Sequence, residues 1–416
     1  MFELFILADD LTGALDTSVQ FAAQGVSTLV VIDEAFDFCG HEGTESVLVM
    51  SIATRHVENS EAYRRVYDVS RRAVEAGIPY LFKKTDSILR GNVASELVAM
   101  MDASGAMRLD FLPAFPALGR TTVNGEQLLD GHPIHETVFG SDLLEPVTNS
   151  FIPDIISQVS DIRCNVIRSG ESAQVLEEKH INIYDAETDE DLRRIVSGLY
   201  RENALRVMAG CAGLGSVLHD TLPLKDRIAP RDEPRGKLLV VCGTVNPITR
   251  KQLDYAQSHG FSRVTLSPDQ KFSRSALSQD LIIRLMQLHK AETPVILDVA
   301  EDLRANCEAN CTKEAAAKET RDVVAGNLGW LVRELWQRGV RATLMVTGGD
   351  TLLAVLEALN CREIHPIREI RPGVVLSECA SEGQRLPVIS KSGGFGARTL
   401  LIDIAEEVER KNEGTK

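Results

Sequence analysis

The chain has 416 residues, of which 44% are hydrophobic and 25% charged, and it carries a net charge of −15 at pH 7. This length predicts two domains, each with its own core, and the composition is ordinary for a soluble enzyme. The negative charge argues against binding to nucleic acid or to an anionic membrane surface, because both reward a basic face.

The eight cysteines are scattered and form no Cys-x-x-Cys pair. Cys307 and Cys311 stand four apart, but no further His or Cys cluster completes a zinc site. The first ten residues are acidic and lack the basic start of a signal peptide, and no apolar stretch is long enough to span a bilayer. These features predict a cytoplasmic protein with reduced thiols and without a protein-held metal.

Strand-like and helix-like segments alternate through the first half of the chain. Strands are predicted at 4–8, 28–32, 46–52, 80–83, 110–112, 164–167, 182–184 and 206–209. Helices are predicted at 14–24, 61–76, 93–101 and 189–202. Residues 113–150 are rich in Pro, Gly, Thr and Asn with little periodicity, which predicts a long functional loop such as a lid. Residues 210–216 read as a glycine-rich turn.

Three prolines among charged residues make 222–236 the best linker candidate. A second α/β unit begins with a strand at 237–242 and contains a strand at 294–299 and a helical region at 305–338. We therefore predict an α/β protein of two domains, 1–228 and 237–416, each a mainly parallel sheet with flanking helices. Ligands of such sheets bind at the carboxyl ends of the strands.

Two adjacent carboxylates, Asp9 and Asp10, directly follow the first predicted strand. Adjacent side chains point in different directions, so one carboxylate can face a ligand while the other caps the following helix. One of them could accept a hydroxyl proton or orient a sugar hydroxyl. The alternative is that both serve only the cap and the turn. The position after a strand and before Thr12 and Gly13 favours a functional role.

A dense polar cluster follows the strand at 80–83. It combines cations, a carboxylate and hydroxyls: Lys83, Lys84, Thr85, Asp86, Ser87 and Arg90. A small polyhydroxy carboxylate needs this mixture, whereas a solvated charged loop is the alternative. Arg55 follows the strand at 46–52 as another strand-end cation, although alone it is equally compatible with an exposed surface residue. In the long segment, Arg120 could reach a transferred phosphoryl group.

Two glycine-rich loops, within 343–353 and 387–401, each follow a short apolar run and precede a helical one. Backbone N–H groups at a helix N-terminus suit a phosphate, so two such loops indicate a site for a nucleotide triphosphate. The predicted contacts are Gly348, Gly349, Asp350, Thr351, Lys391, Gly393 and Gly394. Neither loop matches the P-loop pattern, and no Gly-x-Gly-x-x-Gly follows the first strand, which disfavours P-loop enzymes and dehydrogenases.

The turn after the strand at 237–242 is a further candidate for the nucleotide pocket. Thr244 or Asn246 could line that pocket, and an ordinary capped turn is an equally good interpretation. The spacing leaves open which of the two side chains is involved.

Taken together, these motifs resemble those of the four-carbon acid sugar kinases. The resemblance rests on Ala-Asp-Asp-Leu-Thr-Gly-Ala from residue 8, Lys-Lys-Thr-Asp-Ser-Ile-Leu-Arg-Gly-Asn at 83–92, Pro-Ala-Phe-Pro with Gly-Arg-Thr at 113–121, Gly-Gly-Asp-Thr at 348–351 and Lys-Ser-Gly-Gly-Phe-Gly at 391–396. It spans nearly the whole chain. It implies an ATP-dependent kinase whose N-terminal domain holds a sugar acid and whose C-terminal domain holds ATP, with the active site in the cleft between them.

The resemblance also implies residue roles. Asp10 or Asp9, Arg55 and residues 84–87 would contact the sugar acid, with Asp10 as the preferred base, and closure about the linker would bring the 4-hydroxyl in line with ATP. Residues 348–351 and Gly394 would contact ATP, which brings Mg²⁺ with it. The form Gly-Ala-Leu-Asp after residue 12 favours D-threonate or D-erythronate over 3-oxo-tetronate as the substrate.

Rival classes are an ATP-dependent ligase acting on a small carboxylate, a phosphate-binding dehydrogenase and a hinge-closing binding protein. A ligase would need a second acceptor such as an amine, and the binding protein would normally carry an export signal. Two α/β domains of this size often pair, which makes a homodimer a possible assembly.

Overall fold

The computed structural model describes residues 2–141, 146–174, 176–224, 237–291, 293–299 and 313–413. The chain divides into two compact units, Met1–Ile228 and Ala229–Lys416. The predicted linker lies outside the described residues from position 225 onward, as do Cys307, Cys311 and the start of the predicted helical region at 305–338.

The first unit alternates strands and helices along the chain. Its strands are β1 (Leu4–Ala8), β2 (Thr28–Val31), β3 (Val47–Ser51), β4 (Tyr80–Lys84), β5 (Arg108–Leu112), β6 (Arg120–Val123), β7 (Glu126–Leu129), β8 (His132–Pro133), β9 (Arg163–Ile167), β10 (His180–Tyr184) and β11 (Val207–Gly210). Its helices are α1 (Leu11–Ala22), α2 (Asn59–Glu75), α3 (Val93–Ser104), α4 (Ile152–Ser157), α5 (Asp189–Arg201) and α6 (Ala212–Leu218).

The main sheet of this unit has the strand order β2-β3-β1-β4-β11-β5-β10-β9, and these neighbours pair in parallel. Every residue of β1 and β3 is buried, as continuous apolar runs in a sheet covered on both faces should be. Helix α2 instead buries only one face, since charged residues occupy the rest of its surface. The predicted alternation of strands and helices is confirmed.

The long segment at 113–150 differs from the predicted loop, because part of it folds into a small antiparallel sheet of order β6-β7-β8. Asn124 and Gly125 link β6 to β7 with φ of 52° and 76°, and Asp130 and Gly131 link β7 to β8 with φ of 50° and 81°. Asn-Gly and Asp-Gly pairs favour such two-residue hairpins because both residues tolerate positive φ. The predicted turn at 210–216 is also partly wrong, since helix α6 begins within it.

The second unit contains β12 (Lys237–Cys242), β13 (Ser262–Leu266), β14 (Val295–Val299), β15 (Ala342–Thr347), β16 (Glu363–Arg371), β17 (Val374–Ser381) and β18 (Gln384–Lys391). Its helices are α7 (Pro247–Ser258), α8 (Pro268–Phe272), α9 (Gln279–Lys290), α10 (Lys313–Gln337), α11 (Gly349–Ala358) and α12 (Leu400–Glu413). Among the described residues, no helix combines the length and apolar character that crossing a membrane requires.

The sheet of the second unit has the order β13-β14-β12-β15-β18-β17-β16. The pairs from β13 to β18 are parallel, as predicted for a mainly parallel sheet, whereas β18, β17 and β16 form an antiparallel extension that the sequence did not predict. The parallel register aligns Cys242 with Thr347 and Thr347 with Lys391. The loops that follow β12, β15 and β18 therefore leave the sheet side by side.

Candidate active site

The first polar cluster forms where three neighbouring parallel strands end. Ala8 of β1 is aligned with Ser51 of β3 on one side and with Lys84 of β4 on the other. The residues that follow each strand are therefore neighbours at one edge of the sheet, although they are separated by tens of positions in the chain.

Arg55 holds both carboxylates that follow β1. Its Nε donates to Asp9 Oδ2 at 2.7 Å, and its Nη2 lies 2.9 Å from Asp10 Oδ1. Ala53, two positions earlier, has φ of 48°, a left-handed conformation that residues with a side chain rarely adopt. Such conformations often occur at functional sites, where the surrounding structure maintains them.

Asp10 also caps helix α1. Its Oδ1 accepts from the Gly13 backbone N–H at 2.9 Å, and its Oδ2 accepts from the Thr12 hydroxyl at 2.5 Å. Burial alone would raise the pKa of Asp10, but Arg55 and Lys84 outweigh burial and hold the pKa below its usual value. Asp10 is therefore ionised at neutral pH. Asp10 therefore both caps helix α1 and occupies a position that the sequence predicts to be functional.

Lys84 approaches Asp10 over the first turn of α1. A Cβ atom on Gly13 would come within 2.9 Å of Lys84 Nζ and 2.5 Å of Asp10 Oδ1, so a larger residue here would displace these charged groups. Lys84 Nζ donates to the carbonyl of Thr85 at 2.7 Å, and the hydroxyl of Thr85 donates to the carbonyl of Gly210 at 3.2 Å.

Asp86 completes the cluster at the turn after β4. Its carboxylate accepts from Arg90 Nε at 2.6 Å and from the Arg90 backbone N–H at 3.3 Å. Burial would raise the pKa of Asp86, but Arg90 and Arg55 hold it well below its usual value. Ser87 is half-buried, and its carbonyl accepts from the side chain of Gln127. The structure thus brings together the predicted sugar-acid residues.

A buried ion pair lies on the opposite side of β4 from Lys84. Lys83 Nζ is 2.9 Å from Glu96 Oε2, and both side chains are almost fully buried. The hydroxyl of Thr54, next to Arg55, donates to the other oxygen of Glu96. Burial raises the pKa of Glu96 despite the nearby Lys83 ammonium. Sequence reasoning missed Glu96; its place among the apolar residues of α3 was the available signal.

The second group of polar residues lies on the three loops that follow β12, β15 and β18. A Cβ atom on Gly243 would meet Thr351 Oγ1 at 2.0 Å, and one on Gly393 would meet Thr244 Oγ1 at 3.2 Å. Gly348 has φ of 101° and donates its backbone N–H to the carbonyl of Lys391 at 3.2 Å. The three loops that were predicted to bind a nucleotide are therefore in mutual contact.

Helices α7 and α11 begin at these loops. Asn246 caps α7 by accepting from the Ile248 N–H at 2.9 Å, and its own N–H donates to Thr244 Oγ1 at 3.2 Å. Gly348 is the N-cap of α11, and Asp350 is exposed in its first turn. Both Thr244 and Asn246 lie against Gly393, so the structure leaves each of them as a candidate contact of the nucleotide.

Lys391 is fully buried, and its ammonium group supports the loop that follows β18. Its Nζ donates to Thr249 Oγ1 at 2.9 Å and to the carbonyls of Ser392 at 3.1 Å and Gly393 at 3.2 Å. Burial lowers the pKa of Lys391 to about 8. These contacts give Lys391 a role in shaping the loop, and its direct contact with a phosphate stays a prediction.

Gln252 supports the next part of the same loop and was missed by sequence reasoning. Its Nε2 lies 3.0, 2.9 and 3.0 Å from the carbonyls of Phe395, Gly396 and Ala397. In the first unit, Arg120 is buried and donates to the carbonyl of Leu118 at 3.3 Å, so its predicted contact with a phosphoryl group stays a prediction.

Two family models match the chain. A sugar-binding N-terminal domain covers residues 4–218, and a nucleotide-binding C-terminal domain covers residues 239–401. The chain is therefore in the class of proteins that combine a sugar-binding domain with a nucleotide-binding domain. Because it is also similar over nearly its whole length to curated kinases of threonate and erythronate, the chain belongs to the four-carbon acid sugar kinase family.

Curated relatives are similar over nearly their whole length. A D-threonate kinase of Salmonella typhimurium is 30% identical over 98% of both chains. A D-erythronate kinase of Heliobacterium modesticaldum is 28% identical over 95% of this chain and 94% of its own. A 3-oxo-tetronate kinase of Pseudomonas fluorescens is 24% identical, again over 95% and 94%.

Solved structures share the fold. A Salmonella typhimurium LT2 protein, provisionally described as a tRNA synthase, superposes with a TM-score of 0.78 at 22% identity, covering 98% of this chain and all of its own. A Haemophilus influenzae protein superposes with a TM-score of 0.70 at 19% identity and the same coverage. At these identities the likeness concerns the fold alone.

Removing Lys83 should leave the Glu96 carboxylate buried without its cation. We expect Lys83→Met to lose about 3–5 kcal/mol of unfolding free energy, and the double variant with Glu96→Met to regain much of that loss. In the single variant the pKa of Glu96 should rise further above its usual 4.5. A carboxyl group whose pKa is raised by folding contributes stability at pH values below its unfolded-state pKa, and this stability is lost as pH rises. The loss of unfolding free energy in Lys83→Met should therefore be smaller at about pH 5 than at about pH 8.

Urea denaturation of the wild type, both single variants and the double variant measures this coupling. Equal losses in the single Lys83→Met variant and in the double variant would show that the ion pair is not the origin of the effect.

Proposed function

We propose that this protein transfers the γ-phosphoryl group of ATP to the 4-hydroxyl of a four-carbon sugar acid, D-threonate or D-erythronate. The observation that carries the proposal is the ionised carboxylate of Asp10, held between Arg55 and Lys84 at the end of β1. An ionised carboxylate beside two cations suits a substrate that brings both a carboxylate and a hydroxyl to be activated. The relatives named as D-threonate and D-erythronate kinases favour the same substrate class.

In this proposal the cations of the first cluster bind the substrate carboxylate. Arg55 offers a planar guanidinium, which suits a carboxylate, and Lys84 adds a second positive charge. Thr85 and Ser87 supply hydroxyls for the substrate hydroxyl groups, and Asp86 keeps Arg90 in place at the turn. Because the protein as a whole is acidic, these local cations are what attracts the anionic substrate.

Asp10 serves as the base, and Asp9 orients Arg55 through the 2.7 Å hydrogen bond. The 4-hydroxyl oxygen forms the new bond to the γ-phosphorus while the bond from that phosphorus to the β–γ bridging oxygen breaks. The hydroxyl proton passes to Asp10, and ADP and the 4-phospho-acid leave. Such phosphoryl transfers depend mainly on positioning and on stabilisation of charge.

In this proposal the two glycine-rich loops of the second unit and the turn after β12 bind the nucleotide. The N-termini of α7 and α11 supply backbone N–H groups, and Thr244, Asn246, Thr351, Gly393 and Gly394 line the phosphates. The donor set fits Mg²⁺ brought by the nucleotide, since that ion keeps waters and takes few protein ligands, of which exposed Asp350 is a suitable one. Mg²⁺ would neutralise phosphate charge when bound.

The substrate preference rests on the relatives and on the Gly-Ala-Leu-Asp form at residues 13–16. The D-threonate kinase is 30% identical and the 3-oxo-tetronate kinase 24%, and both are similar over nearly the full length. We propose a cytoplasmic location because four-carbon acid catabolism and ATP meet there. The homodimer and an active site between the two domains stay predictions from the sequence.

Release of ADP from ATP and Mg²⁺ tests the function directly. The acceptors are D- and L-threonate, D- and L-erythronate and 3-oxo-tetronate, with glycerate and free sugars as controls. We expect rapid turnover on D-threonate or D-erythronate. Turnover on 3-oxo-tetronate alone would replace the proposed substrate, and ATP binding without turnover on any acid would remove the proposed acceptor.

Asp10→Asn should keep the helix cap, because Asn caps as well as Asp, but lose the base. We expect kcat to fall by at least about 10²-fold with little change in the KM for ATP. Asp68→Asn, which removes one exposed carboxylate of helix α2, is the matched control and should retain normal turnover. Near-normal kcat in Asp10→Asn would take Asp10 out of the base role.

Gly348→Ala should weaken ATP binding. Gly348 and Gly260 have φ of 101° and 100°, so alanine at either position is strained by about 1–3 kcal/mol. Only Gly348 lies at the N-terminus of α11, next to Lys391. We therefore expect both variants to be less stable, and only Gly348→Ala to raise the KM for ATP. An equal effect on the KM for ATP in both variants would contradict this assignment.

A further inference from the structure

The small antiparallel sheet contributes one fully buried side chain to the loops at the edge of the main sheet. Gln127 in β7 donates from Nε2 to the carbonyl of Ser87 at 2.9 Å and to the carbonyl of Pro113 at 3.2 Å. Its Oε1 accepts from the hydroxyl of Thr122 in β6 at 2.8 Å. One amide therefore joins the loop after β4, the loop after β5 and the hairpin.

The chemistry of this position requires an amide. Two carbonyl oxygens need two N–H donors, while the hydroxyl of Thr122 needs an acceptor, and a glutamine side chain supplies both from one planar group. A glutamate would place a carboxylate against two carbonyl oxygens. A methionine would fill the same volume but leave both carbonyls and the hydroxyl without their buried partner.

The hairpin that carries Gln127 is itself fixed to the first unit. Asp185, after β10, accepts from the backbone N–H groups of Asn124 at 2.6 Å and Gly125 at 2.9 Å. The backbone N–H of Gln127 donates to the carbonyl of the buried Ser150 at 2.9 Å. These hydrogen bonds fix the hairpin around Gln127, so its side-chain amide can hold the carbonyl of Ser87 in place.

We propose that Gln127 is a positioning residue that fixes residues 84–87 in the conformation that binds the sugar acid. Ser87 lies between Asp86 and the turn at Leu89, whose φ is 62°, so the segment has a backbone conformation that needs support. The proposal rests on the assignment of residues 84–87 to the substrate. In this proposal the segment at 113–150 holds the loop after β4 in its binding conformation.

The test compares Gln127→Met with Asn182→Leu. Asn182 is an equally buried amide in β10, and its Nδ2 donates to Asp110 Oδ1 at 3.1 Å within the main sheet. Both variants lose buried hydrogen bonds, so both should be less stable. Only Gln127→Met should raise the KM for the sugar acid, by about tenfold, with the KM for ATP within about twofold of the wild type.

Amide hydrogen exchange gives a readout that does not depend on turnover. In the variant Gln127→Met, exchange across residues 84–91 should become faster, and in Asn182→Leu it should stay as in the wild type. An unchanged KM for the acid and unchanged exchange in Gln127→Met would overturn the proposal while leaving the kinase function intact. Equal changes of the KM for the acid and of the exchange rates in both variants would show that Gln127 contributes only to general stability, and would also overturn the proposal.

If the wild type turned over none of the acids, the proposed function would fail, and the exchange data would still decide whether Gln127 orders the loop.

Discussion

The bridging of Asp9 and Asp10 by Arg55 is the interaction on which the first cluster depends. Two adjacent carboxylates at the end of a buried strand repel each other, and a guanidinium with donors in one plane can satisfy both. Arg55 can reach them only because β3 lies beside β1 in the sheet. The parallel strand order therefore sets the electrostatics of the cluster, and the ionised state of Asp10 follows from it.

A second constraint is shared by both units. Loops at the ends of parallel strands expose carbonyl groups that the sheet no longer satisfies, and a buried carbonyl needs a donor. In this protein long side chains supply the donors: Gln127 for the loop after β4, Lys391 and Gln252 for the loop after β18. Gln127 comes from strand β7 and Gln252 from helix α7, whereas Lys391 is the last residue of β18 itself, so secondary-structure elements of the same unit hold these loops.

Much of the fold could be predicted because buried parallel strands are continuous apolar runs, as in β1 and β3. The strand-end residues Asp10, Arg55 and Lys84 were predicted for the same reason. The antiparallel strands β16 and β17 and the short hairpins of β6 to β8 were missed, although Asn124-Gly125 is a hairpin signal. Glu96 and Gln127 could not be predicted as parts of the site, because their partners are set by tertiary packing and not by spacing along the chain.

In the loop after β18, the lysine that opens the loop is buried beneath the backbone and is not exposed to solvent. Lys391 and Gln252 bind the carbonyls of residues 392, 393 and 395–397. In a trans peptide the N–H points opposite to the C=O of the same planar unit. Pulling the carbonyl oxygens inward therefore turns the N–H groups of these peptide units outward. The oriented backbone dipoles of these peptide units therefore contribute to the outer face of the loop, together with the exposed side chain of Arg398.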